Sequence, residues 1–190
     1  MRKVVARLLM TLDGVVESPD KWEFDSFDDD MRGDLGSQIS GEDAMLLGRT
    51  TYEEWEPYWP TSAIEPFASH INRVPKFVAS TTLEGVKWGE RDNATLIGGD
   101  LAEAISDLKR RPGKNIGVHG SPTLIGSMLR NDLLDEIRLA VYPVVAGEGK
   151  RLFGNGRAPK RLKLVDSRTT AAGVSLLTYE PAGKNGSAPG

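Results

Sequence analysis

Four stretches of this chain combine glycine, hydroxyl and charged residues where a strand would give way to a turn or a helix. They are Gly48-Arg49-Thr50-Thr51, Ser80-Thr81-Thr82, Gly98-Gly99-Asp100 and His119-Gly120-Ser121-Pro122-Thr123. Glycine lets a bound group approach the backbone, and a following helix offers free N–H groups at the positive end of its dipole. That chemistry suits a phosphate, and the guanidinium of Arg49 would add a full charge to it. The fourth stretch has the clearest local signals. Ser121 suits an N-cap, Pro122 the first helical position, and Leu124, Ile125, Met128 and Leu129 fall on one helical face. Each turn alone also fits an ordinary connection, but four at corresponding places suggest one binding edge.

Other chemistries are restricted by what the chain lacks. It has no cysteine, which excludes disulfides, thiolate metal sites and cysteine nucleophiles. Its two histidines, His70 and His119, belong to no metal-binding spacing, so no metal is expected. A hydrolase would be expected to show a Gly-x-Ser-x-Gly elbow, which is absent. The side chains placed to move a proton near the strand ends are Asp13, Asp30 and His119. A net charge of −3 gives no electrostatic case for nucleic acid. With no apolar run of membrane-spanning length and no convincing leader, a cytoplasmic protein without a membrane partner is expected.

The elements that must position these turns follow from periodicity. Strands are predicted at Lys3–Met10, Ala44–Leu47, Lys76–Ser80, Val86–Trp88 and Ala94–Ile97, with a further apolar strand at Ile116–Val118 and an alternating stretch within Leu133–Val145. Helices are predicted at Phe27–Ser40, after Thr50 or Thr51 as cap, at Ile64–Arg73, after Asp100 and after Ser121. Leu162–Thr169 and Val174–Tyr179 flank Ala171-Ala172-Gly173 as a hairpin. The pattern predicts a three-layer α/β/α domain over residues 1–181, with a mostly parallel sheet, a C-terminal antiparallel hairpin and a polar flexible tail at 182–190.

The sequences MTLDG at Met10–Gly14, DAMLLGRTTYEEW at Asp43–Trp55 and VHGSPTLIGSMLRNDLLDEIRLAVYPVVAGEGKRLF at Val118–Phe153 carry a resemblance. In this order they resemble the dihydrofolate-reductase-like superfamily. Within it they are most similar to the reductase domain at the C-terminus of bifunctional riboflavin-biosynthesis proteins and its stand-alone bacterial relatives. The resemblance spans Lys3–Glu180. It implies an NADPH-dependent reductase, often a homodimer, acting on a small heterocyclic molecule. The first substrate it suggests is 5-amino-6-(5-phosphoribosylamino)uracil. A dihydropterin, or a nucleotide-binding dimer without catalysis, are the alternatives.

By the same resemblance, Gly48, Arg49, Thr50 and Thr51 would lie near the cofactor phosphates. Ser80 and Thr81 would lie near the adenosine ribose and its 2′-phosphate, and Gly120, Ser121 and Thr123 along the pyrophosphate. Gly98 joins them as the remaining glycine at a strand end. The fingerprint G-x-G-x-x-G is absent, which argues against a Rossmann domain and leaves this fold open. Two departures concern the substrate end. His119-Gly120-Ser121 stands where the riboflavin reductases usually carry Glu-Gly-Gly, and Asp30 and Asp34 bracket the place of the pterin-binding acid.

Overall fold

VVARLLMT at Val4–Thr11 forms the first strand, β1, and an almost unbroken apolar run is what a strand covered on both faces requires. The computed structural model describes residues 1–154 and 159–182. The expected tail lies outside the described residues from 183 onward. A parallel sheet grows on either side of β1. On one side it pairs with β5 (Asn115–Val118), then β2 (Glu42–Gly48), β3 (Lys76–Ala79) and β4 (Ala94–Ile97). On the other side β1 pairs with β6 (Glu136–Tyr142), again parallel. The hairpin of β7 (Leu162–Thr169) and β8 (Ser175–Pro181) then completes an eight-stranded sheet through antiparallel pairing of β8 with β6.

Alternate residues of each strand feed opposite layers. One face carries Ala6, Leu46, Val118 and Leu139 under α4 (Leu101–Arg110) and α5 (Pro122–Arg130). The other face is divided. Met45, Leu47 and Val78 pack with Tyr52 of α2 (Arg49–Trp55) and Ile71 of α3 (Phe67–Arg73). Ala140, Tyr142 and Leu176 pack with Met31 of α1 (Asp29–Gly41). The expected three-layer architecture with its C-terminal antiparallel strands is therefore present.

Local signals set several helix starts. Asp28 caps α1 by accepting from Met31 N at 2.9 Å, and Ser121 caps α5 by accepting from Leu124 N at 3.3 Å. Asp100 Oδ1 accepts from Ala102 N at 2.7 Å and Glu103 N at 3.2 Å. Asp100→Ala is expected to cost about 1 kcal/mol, read as a lower urea midpoint with an unchanged slope. Two expectations need correction. Val86–Trp88 contributes only an isolated bridge between Trp88 and Arg91, because the sheet edge is already taken by β4. Thr50 and Thr51 do not cap α2, which starts earlier with Gly48 as N-cap and no side-chain cap bond.

Candidate functional site

Because all strands from β1 to β6 run parallel, their carboxyl ends share one edge. The order β2, β5, β1 places Gly48–Thr51, His119–Thr123 and Thr11–Gly14 side by side there. The two glycine turns are in direct backbone contact, with Gly48 N donating to Gly120 O at 2.8 Å. A Cβ on Gly48 would stand 2.7 Å from Ser121 Oγ. One on Gly120, at φ +140°, would stand 2.5 Å from Thr51 Oγ1. Glycine is thus required at both positions for α2 and α5 to start against each other. The Gly120–Ser121 peptide is cis. Arg49 opens α2, half exposed, 3.5 Å from Glu53 one turn on, where solvent screens the pair.

Ser80 Oγ accepts from Thr82 N at 3.2 Å and Leu83 N at 3.1 Å, closing the turn after β3. Gly98 follows β4 next to that turn, where a Cβ would stand 3.7 Å from Ser80 O. Ser80, Thr81 and Gly98 therefore form one end of the edge, β3 and β4 lying outside β2. Thr123 lies in the first turn of α5.

The acids anticipated as proton donors have structural partners. Asp13 accepts from Thr11 Oγ1 at 2.6 Å, Ala146 N at 3.0 Å and Gly147 N at 2.9 Å, and pairs with Arg151 at 3.2 Å. These bonds, the Thr11 hydroxyl foremost, hold its carboxyl far below the usual range. Asp13 thus ties the loop after β1 to the loop after β6. Asp30 accepts from Ala171 N at 2.9 Å and steadies the hairpin turn, while Asp34 pairs with Arg7 at 3.0 Å and Arg168 at 2.7 Å. Beside Asp13 a groove of about 570 Å³ opens between Val15, Lys21, Trp22 and Phe24 and the loop of Val144 and Glu148, a volume suited to a small molecule.

His119 turns inward from the edge. Its Nε2 lies 2.9 Å from Glu42 Oε1, and the Nε2 of His70 on α3 lies 2.8 Å from the same oxygen. Gln38 of α1 reaches His119 at 3.5 Å, while Trp55 and Phe67 stand 6.1 and 5.6 Å from its ring centre. The Glu42 carboxylate lies over Gly117, where a Cβ would be 2.6 Å from Glu42 Cδ. Burial alone would push the Glu42 carboxyl up, but the imidazoles, His119 first, outweigh it and bring it down to about 2. A buried carboxylate between two imidazoles therefore occupies the face where the two apolar clusters part.

Neither Glu42 nor His70 stands out in the sequence. Glu42 precedes the apolar run that suggests a strand, and a register irregularity between Glu42 and Ala44 carries β2 back to include it. One signal was present: a glycine inside a strand, Gly117, marks close approach by another group. Among the described residues, no group of three or more His, Cys, Asp or Glu is arranged to hold a metal ion, and no helix is long and apolar enough to cross a membrane.

Comparison with known proteins gives a consistent family. The family described as the RibD C-terminal domain matches residues 2–176. The Bacillus subtilis protein YyaP is 33% identical over 185 residues, covering 94% of each chain. A putative riboflavin biosynthesis protein from Shewanella sp. PV-4 superposes with a TM-score of 0.75 at 21% identity, covering 94% of this chain and 98% of that one. The Thermotoga maritima diaminohydroxyphosphoribosylaminopyrimidine deaminase/5-amino-6-(5-phosphoribosylamino)uracil reductase superposes with a TM-score of 0.67 at 18% identity. There 95% of this chain matches 57% of the other, so the chain spans little more than half of that bifunctional protein.

Proposed function

Since the chain belongs to the RibD C-terminal domain family, a family of riboflavin-biosynthesis reductases, we propose that it is an NADPH-dependent reductase of a small heterocyclic substrate. The substrate class we favour is a phosphoribosylaminopyrimidine such as 5-amino-6-(5-phosphoribosylamino)uracil. The observation that carries this reading is the contact of Gly48 with Gly120 and Ser121. It brings two helix starts, Arg49 and several hydroxyls together at one sheet edge, next to the end of β1. Such an edge is fitted to a dinucleotide's phosphates. The bound cofactor supplies the hydride, and the chain supplies binding, orientation and exclusion of water.

In this reading α2 leaves its first-turn amides without a side-chain cap, and Arg49 adds charge beside them. The substrate is held against the nicotinamide at the end of β1, near Thr11–Gly14 and beside the His119–Gly120 turn, where the Asp13 bonds to Ala146 and Gly147 fix the loop. A dihydropterin is less well supported, because Asp30 and Asp34 on α1 are engaged by Ala171 N and by two arginines. We take the protein to be cytoplasmic and a homodimer, and sedimentation with and without NADPH tests the dimer.

The primary test is NADPH oxidation with the phosphoribosylaminouracil, beside a tryptophan-fluorescence titration of NADPH and NADH. Failure to bind either nucleotide would end the proposal. Arg49→Ala is expected to weaken NADPH about tenfold and NADH little, because the half-exposed guanidinium puts a charge-assisted contact to the 2′-phosphate at the lower end of about 1.5–3 kcal/mol. Equal weakening of both would place Arg49 on the shared pyrophosphate instead.

A further inference from the structure

Resting on the reductase reading, the geometry points to His119 as the proton donor of the reduction and to Glu42 as the residue that positions it, with His70 anchoring the carboxylate. Glu42 starts β2, His70 lies on α3, and His119 follows β5, so the fold brings together residues 28 and 77 positions apart. A buried carboxylate needs N–H donors, and the two within reach are the Nε2 atoms of His70 and His119, at 2.8 and 2.9 Å. That fixes the proton of a neutral His119 on Nε2 and leaves Nδ1, the nitrogen nearer the main chain, for exchange with a ligand. Turned about its amide bond, Gln38 would present its unpartnered Oε1 to the same Nε2–H.

The two imidazoles are not equivalent. His70 keeps 2% of its side chain exposed and its Nδ1 is buried without a partner, which suits an anchor. His119 keeps 7%, and its main chain lies at the strand edge, immediately before Gly120 and beside β1. Trp55 and Phe67 flank its ring and limit water around it. Arg7 and Asp34 pair with one another at 3.0 Å, Lys76 lies over the Trp88 ring, and the carboxylate in contact with His119 is that of Glu42.

In the ring-opened form of the ribosylamino group, in which the amine proton has passed to the ring oxygen and a C=N bond has formed, hydride from NADPH adds to the carbon and leaves an electron pair on nitrogen. The Nδ1–H bond of the His119 imidazolium breaks as the product N–H bond forms, and solvent returns the proton to Nδ1. Without the Glu42 carboxylate the ring is no longer fixed with Nδ1 toward the ligand.

The test combines turnover of NADPH and 5-amino-6-(5-phosphoribosylamino)uracil with nitrogen NMR of histidine-labelled, ligand-free protein. In the wild type, neutral His119 is expected to carry its proton on Nε2. Glu42→Gln should lose that fixed tautomer and lower kcat about tenfold with the KM for NADPH little changed. His119→Gln keeps an N–H toward Glu42 and should fold, yet lose about a hundredfold in kcat. A wild-type His119 protonated on Nδ1, or a Glu42→Gln variant with the wild-type kcat, overturns the assignment while leaving the reductase reading intact. Absence of wild-type turnover overturns both.

Discussion

Gly117→Ala is expected to lower stability by about 3 kcal/mol, although it adds a single methyl group to a strand. The new Cβ would overlap the Glu42 carboxylate and stand 2.8 Å from His119 Nε2. The end of a flexible surface side chain could swing away at little cost. Glu42 cannot, because its carboxylate is buried and bound to His70 and His119 at 2.8 and 2.9 Å. Overpacking a core typically costs about 1–3 kcal/mol, and parting a buried ion from its partners about 3–5 kcal/mol. The estimate lies where these overlap, since the carboxylate can shift without losing both imidazoles. Gly36→Ala on α1 is the control, because nothing lies within 4 Å of a Cβ there and the helix would gain about 0.5–1 kcal/mol. Urea unfolding of the two variants should give midpoints on opposite sides of the wild type. A Gly117→Ala midpoint at the wild-type value would mean that the carboxylate is not held where the contacts place it.

That contrast also marks how far the sequence could be read. The fold was legible because its determinants are local: apolar runs for β1 and β2, Asp100 and Ser121 as caps, and Gly173 in the hairpin turn. Caps and periods involve residues a few positions apart, so a window of sequence contains them. The glycine turns were legible for the same reason, and the sheet order then set Gly48 against Gly120. The inner cluster was not, because Glu42, His70 and His119 meet only after β2, α3 and β5 are assembled. Asp13 illustrates the converse: beside a strand end it looks free to act, yet the loop after β6 supplies two amides to it. Its hydrogen-bonding capacity is spent on joining loops, and no property of the MTLDG stretch announces that.

Lys76 supports the second large effect, and its sign follows from where the proton is held. The side chain is fully buried at the start of β3, its Nζ has no hydrogen-bond partner among the described residues, and it lies 4.7 Å from the centre of the Trp88 ring. Burial, helped by the charge of Arg91, lowers its pKa from 10.5 to about 7. The unfolded chain therefore binds a proton that the folded protein releases between about pH 7 and 10.5. Stability rises with pH across that window, and below it the folded state carries the full penalty of a buried cation. Lys76→Met keeps the length of the side chain and removes the charge, so it should stabilise the protein by about 1–3 kcal/mol at pH 6, part of the gain being offset by the lost ring contact. Because the wild type sheds its penalty as it deprotonates, the advantage of methionine must shrink steadily toward pH 10. Denaturant titrations of both proteins from pH 6 to 10 measure that difference directly. Parallel curves would show that Lys76 keeps its proton in the folded state, with the Trp88 face compensating for burial of the charge.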